Sequence, residues 1–532
     1  MFLINLNDDT LIYILSFLEP LQLLVVRKTC KRLCALTQSR IVWTNACVYY
    51  VVGRGHPFPN VPLDSLPTRK LEEHVCRAAH LATKWLSRCW TPTRRWFVNG
   101  TTSTSITDVR ILPGSEGNVI FTLSKSVWSV VTVWELEPVI SRTASENCDF
   151  RKRCDWSPRG AIFNGFTLNS CPSSEAKAAV SVINNGDQTV ELLSLKRDKD
   201  SGDWSLESIM SISSSFKPIT LEGDFLAMSD DFGETIITNW RTNAYATLHR
   251  GNDGQSMWQH DNCIQVIFAF QSVLVVRARS LHLFPYPILK QQGKGPLQYT
   301  STARHSFGWV DGVSVRVMGQ RLETSETSLP KDHLRQRSLS ILVRAETDDP
   351  WSSDILTIEL YTLYPNPEFT FMDGANSWES ASLDEVDGIT SPSYSVPTPY
   401  IFPPVLTSKV TSLRGALRCT EIILGRLGTA VWIQPRDRSA AGLYWSNYEG
   451  PLGPQTFIRS EHMNESLVAT AFPGSLSPEP GKTWGDEDDV VETKREVVCW
   501  NEQNNWSSMD YDEDVGRIAL GSSFGQITII DL

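Results

Sequence analysis

The apolar period of this 532-residue chain changes once, near residue 95. Upstream, Leu11, Ile14, Leu15 and Leu18 recur at i, i+3, i+4 and i+7, a single stripe on an α-helix. Downstream, short alternating strands follow one another between turn residues. One such switch predicts a small all-α unit ahead of a large all-β domain. Charge divides at the same place. Residues 1–100 carry 13 Lys and Arg against 6 Asp and Glu, while the remaining 432 carry 36 against 54.

The helical part reads as several short elements. Asn7, Asp8 and Asp9 precede the first stripe and can accept its orphan N–H groups. Glu19-Pro20 ends that helix, and Pro20 suits the first turn of a second, with Leu21, Leu24 and Val25 on its apolar face. A third stretch places Cys30, Leu33, Cys34 and Leu36 inward, and Trp43 follows it. A longer helix is expected from about Ser65 to Leu86, with Asp64-Ser65 as cap and Leu71, Val75, Ala78, Ala82 and Trp85 as its core face. Three short helices in about forty residues carry more Leu and Ile than they can bury among themselves, which marks a surface for a partner.

The run Leu6 to Leu21 (LNDDTLIYILSFLEPL), then Cys30-Lys31-Arg32-Leu33, then Trp43, resembles an F-box over about residues 4–46. Asn7 and Leu33 stand where that family commonly has Pro and Trp. The resemblance implies docking to the Skp adaptor, and through it the cullin scaffold, of an SCF (Skp–cullin–F-box) ubiquitin ligase. The adaptor-binding residues it implies are Leu6, Asn7, Leu11, Ile14, Leu15, Leu18, Leu21 and Leu24.

Beyond residue 100 a turn between two strands recurs seven times. The second strands centre near residues 133, 192, 237, 283, 359, 432 and 528. Two of the gaps match the roughly 40–50 residues of a four-stranded propeller blade. The larger gaps call for insertions, and Arg321–Arg337, Pro365–Pro404 and Pro473–Glu496 are polar, aperiodic candidates. A terminal strand at Ile527–Leu532 suits closure of a ring. Fragments such as Val133-Trp134 and Ile530-Asp531 resemble degenerate WD-type repeats, so the expected fold is a seven-bladed β-propeller. The expected division is 1–50 F-box, 51–95 connecting helical segment and 96–532 propeller. With the F-box, this arrangement resembles the fungal-type F-box/WD substrate receptors, whose propeller binds a client protein. A scaffold with a vestigial F-box is the alternative.

Composition narrows the remaining classes. A net charge of -11 argues against a nucleic-acid coat and against an anionic membrane partner. No apolar run approaches the roughly 18–20 residues of a membrane helix, and the N-terminal MFLINLNDDTL is not expected to be a secretory signal. Eleven cysteines without a Cys-x-x-Cys read as reduced thiols of the cytoplasm or nucleus. His74 and His80 lie six residues apart on one helix, on different faces, so no metal is expected. Asp486–Asp489 and Asp510–Asp514 lack the spacing of a calcium loop. Ser229-Asp230-Asp231-Phe232-Gly233-Glu234-Thr235 fits a sialidase-type Asp-box, a structural hairpin turn. No phosphate loop, nucleophile elbow or zinc-protease motif occurs. The expectation is a non-enzymatic protein with no catalytic residues and no cofactor.

Overall fold

The computed structural model describes residues 6–59, 61–87, 90–99, 104–136, 150–198, 200–249, 261–291, 297–308, 310–319, 337–345, 355–369, 398–436, 464–474, 476 and 490–532. An N-terminal helical unit precedes seven β-sheets arranged as a seven-bladed propeller.

Five α-helices build the first unit: α1 (Asp8–Leu15), α2 (Pro20–Val26), α3 (Lys31–Leu36), α4 (Arg40–Ala46) and α5 (Thr68–Ser87). Asn7 caps α1 by accepting from Thr10 N at 2.9 Å. Glu19 and Gln22 form a capping box around Pro20 at the start of α2. The expected third helix is α3, but none of its side chains is fully buried. Trp43 follows α3, as expected, and lies in a further helix, α4, which continues into a π-helical turn over Cys47–Val52. Asp64 and Ser65 form a separate 3-10 turn, and α5 begins after Pro67. Leu15, Leu23, Trp43, Val51, Leu71 and Val75 close one core, so α1, α2 and α4 pack on the N-terminal half of α5. Trp43 Nε1 donates to Thr37 O at 2.8 Å. Arg27 reaches from α2 to hold both Glu72 oxygens at 2.7 and 2.9 Å.

Each blade is an antiparallel sheet of four strands, a to d in chain order in blades 1 to 6, with short strands added at two outer edges. In blade 1 these are Ser105–Ile111, Val119–Lys125, Ser129–Leu136 and Phe150–Trp156. Strands a of adjoining blades lie against one another, which places them around the axis. A β-bulge follows the first residues of strand a in six of the seven blades, as between Ile106 and Asp108 or Trp506 and Ser508. Such a bulge bends the strand and raises its twist.

The ring closes by pairing the first strand of the sequence with the last. Blade 7 holds Trp506–Asp512, Arg517–Ser522 and Gln526–Asp531, and its outer strand is Arg94–Asn99 from the other end of the chain. The terminal strand therefore pairs with the N-terminal strand, leaving no open edge there. Six of the seven turns read from the sequence join strands b and c. The seventh, near residue 432, joins strands a and b of blade 6 (Ile422–Leu424 and Thr429–Gln434). Its b and c strands are separated by residues 435–464, a longer connection than the sequence reading allowed for. Most of the expected insertions, with Asp486–Asp489, lie outside the described residues. The base of the one near residue 365 is pinned by a bridge between Pro365 and Tyr400.

Candidate functional site

Alternating strand direction gives the propeller two unlike faces. The a–b and c–d connections emerge on one, and the b–c and d–a connections on the other. The helical unit sits on the first. Leu81 of α5 packs over Gly516 in the a–b turn of blade 7. The Trp85 ring packs at a tilt, 5.1 Å from Trp90 and 6.2 Å from Tyr511. Arg426, from the a–b turn of blade 6, pairs with Asp514 at 2.6 Å and donates to Phe58 O. Lys70 pairs with Glu116 of the blade 1 a–b turn at 3.0 Å. The C-terminal half of α5 thus shares a core with blades 6 and 7, and its N-terminal half shares one with α1, α2 and α4.

The contact is ionisable as well as apolar. Glu513 lies beneath it, accepting from Leu427 N and from the Thr429 hydroxyl. Burial pushes its carboxyl up to about 7, and Asp514 beside it up to about 6. Burial also lowers His74, which stacks edge-on against Phe58. His80 is exposed.

The expected docking residues divide by burial. Leu11 and Leu15 are only 2% and 3% exposed and hold the helical unit together. Leu6, Ile14, Leu18 and Leu24 are half-buried, and Asn7 and Leu21 are exposed. The residues that face water are others: Tyr13 at 66%, Phe17 at 62% and Val25 at 65%, with Leu21 at 44%. These four recur every fourth residue, Tyr13 in α1, Phe17 in the turn after it and Leu21 and Val25 in α2, and the Tyr13 and Phe17 rings meet edge to face at 5.1 Å. Tyr13 and Phe17 were missed because the inward stripe explained the helix by itself. The available signal was a second apolar series, 13, 17, 21 and 25, offset from the first. A short helix that is apolar all round needs cover on both sides.

On the propeller axis, Arg110 is already neutralised. It pairs with Asp108 at 2.8 Å and lies 3.9 Å from Glu421. Burial raises Asp108 to about 6 despite that partner. Asp510 accepts from Ile111 N at 2.6 Å. The Asp-box segment is a blade 3 turn, in which Asp230 Oδ1 accepts from the N–H groups of Phe232, Gly233 and Glu234. Among the described residues no group of three or more His, Cys, Asp or Glu side chains is arranged to hold a metal, and no helix is long and apolar enough to cross a membrane.

Residues 3–45 match the F-box domain family. The chain therefore joins an F-box domain to a seven-bladed β-propeller. No curated protein matches it. Among solved structures, it is similar to a chain of the Chaetomium thermophilum Polycomb Repressive Complex 2, at 12% identity and a TM-score of 0.44, over 83% of this chain and 98% of that one. A humanized mutant of the same complex, bound to an inhibitor, gives 11% identity and a TM-score of 0.45, over 83% and 97%.

Proposed function

We propose that this protein is the substrate receptor of an SCF-type ubiquitin ligase, with the F-box docking a Skp adaptor and the propeller holding a client protein. The observation that carries this reading is the exposed series Tyr13, Phe17, Leu21 and Val25 on an F-box whose own core is already closed. These side chains contribute nothing to that core and fit an apolar helical partner. Leu11 and Leu15 act behind them, by fixing α1 in place. The adaptor connects to the cullin, and the receptor works wherever the ligase does, in the cytoplasm or nucleus.

The way the two parts are joined supports a receptor. Because α5 is shared between both cores, a client on the far propeller face is held at a set distance from the adaptor. Catalysis is left to other subunits. The test is an F17D/V25D variant expressed in cells. It should still capture the clients that the wild type captures, and those clients should then persist after synthesis is stopped. Unchanged client half-lives alongside lost adaptor binding would instead favour a scaffold.

A further inference from the structure

The propeller face opposite the helical unit carries a compact, mixed patch at the junction of blades 1 and 2. Its b–c turn, Ser126–Trp128, presents Val127 at 85% and Trp128 at 45% exposure. Ile162, at the start of strand a of blade 2, is 52% exposed. Three hydrogen bonds fasten the two pieces: Ser129 N to Ala161 O at 2.9 Å, Ser157 Oγ to Ser129 O at 2.8 Å and Phe163 N to Ser129 Oγ at 3.0 Å. The apolar side chains are therefore presented on a fixed backbone, which lowers the ordering cost of binding.

Two cations flank them. Lys125 is paired in register with Ser129, and Arg159 lies in the d–a link. Both are exposed, and among the described residues neither forms an ion pair with a carboxylate. The cations of strand d of blade 1 are already neutralised: Lys152 by Asp155, and Arg153 by Glu135 at 2.7 Å. Exposed positive charge without a salt-bridge partner among the described residues, on both sides of an exposed Trp and on a chain of net charge -11, favours a partner of opposite sign.

Resting on the receptor reading, we infer that Lys125, Val127, Trp128, Arg159 and Ile162 form the client-docking site, and that its ligand is an unphosphorylated peptide segment combining Asp or Glu with large apolar side chains. A phosphate group needs several donors converging on one point. Here one Lys and one Arg come from separate connections with apolar side chains between them. Of the two arginines on the innermost strands among the described residues, Arg110 is occupied by carboxylates, and Arg316 stands alone in blade 5, donating to Leu424 O at 3.1 Å, with no second cation beside it on that strand. Separate carboxylates spaced along an apolar segment fit this arrangement.

The experiment is selection of a displayed library of random short peptides on the full chain, purified with its Skp adaptor. Enriched sequences should combine acidic with aromatic or aliphatic residues. Their affinity should fall about tenfold or more in W128A and in K125E/R159E. It should hold in F232A, which removes an even more exposed aromatic from the corresponding turn of blade 3. Phosphorylating a selected peptide should not be needed for binding. Neutral or basic consensus sequences, no enrichment, a requirement for phosphate, or affinity unchanged in W128A and K125E/R159E would each overturn the assignment. Adaptor retention in the same preparations separates the two ideas. If the adaptor stays bound while the patch variants change nothing, this site fails and the receptor reading stands. If the adaptor never binds, the receptor reading fails.

Discussion

Arg517 joins three pieces of chain at the point where the ring closes. Its guanidinium holds both Asp531 oxygens at 2.6 and 2.9 Å, and donates to Gly117 O at 2.8 Å and Asn118 Oδ1 at 3.1 Å. R517A leaves Asp531 with an unpaired, largely buried carboxylate and should cost roughly 3–5 kcal/mol. Chemical denaturation checks this; a loss no larger than that of an exposed salt bridge would show that the closure does not depend on Arg517. Glu513 titrates in the opposite sense from a salt-bridged acid. Its folded carboxyl is raised from the ordinary 4.5 to about 7. Between those values the folded state holds a proton that the unfolded state has lost, so stability falls as pH rises through that window. E513Q should flatten the fall and stabilise the protein above pH 7, by on the order of 1–3 kcal/mol. Melting temperatures across that range check the sign. No spacing rule marks Glu513, because its environment is made by Thr429 and Leu427, which lie 84 and 86 residues away in sequence.

At the scale of elements, the legible features were those with local signals. The Pro20 start of α2 and the stripe of α5 were readable because capping and periodicity act within a few residues. The turns of blades 1 to 5 and 7 were readable for the same reason, their polar or Gly residues standing between alternating strands. Helix α4 was not, since Arg40–Ala46 is short and its reason to be helical is Trp43 packing against Leu71 and Val75 across the unit. The strand-a bulges were not legible either; the residues at the register shifts range from the polar Thr107, Asn164 and Ser507 to the apolar Ile264. Strand Arg94–Asn99 has its partner more than 400 residues away, so local pattern could not assign it to blade 7. A protein of residues 100–532 lacks that strand and leaves Gln526–Asp531 as an open edge. It should associate in size-exclusion chromatography, whereas residues 91–532 should do so far less. Equal elution of both as monomers would contradict the closure. Gly516 has φ +68°, and an added Cβ there would overlap the Leu81 methyls. G516A should cost about 1–3 kcal/mol and make residues 60–93 easier to cleave by protease; unchanged cleavage would show α5 docking to be insensitive to that turn.

For the whole molecule, the sequence carried the division into a helical unit and a propeller, because the period switch and the repeat count are both global. It did not carry which side of α1 faces outward. Leu11 and Leu15 looked like docking residues and lie in the core, while Tyr13 and Phe17 carry the exposed surface. The two sets differ by about half a turn, which a list of apolar residues does not resolve. Burial decides how they should be tested: Leu15→Asp would unfold the helical unit, whereas Phe17→Asp changes only its surface. The most direct test is co-expression of the whole chain with a Skp adaptor, as wild type and as F17D/V25D, followed by size-exclusion chromatography. The wild type should elute as a one-to-one complex, and the variant should elute without adaptor at an unchanged melting temperature. No complex with the wild type, or an intact complex with the variant, would contradict the assignment of this surface.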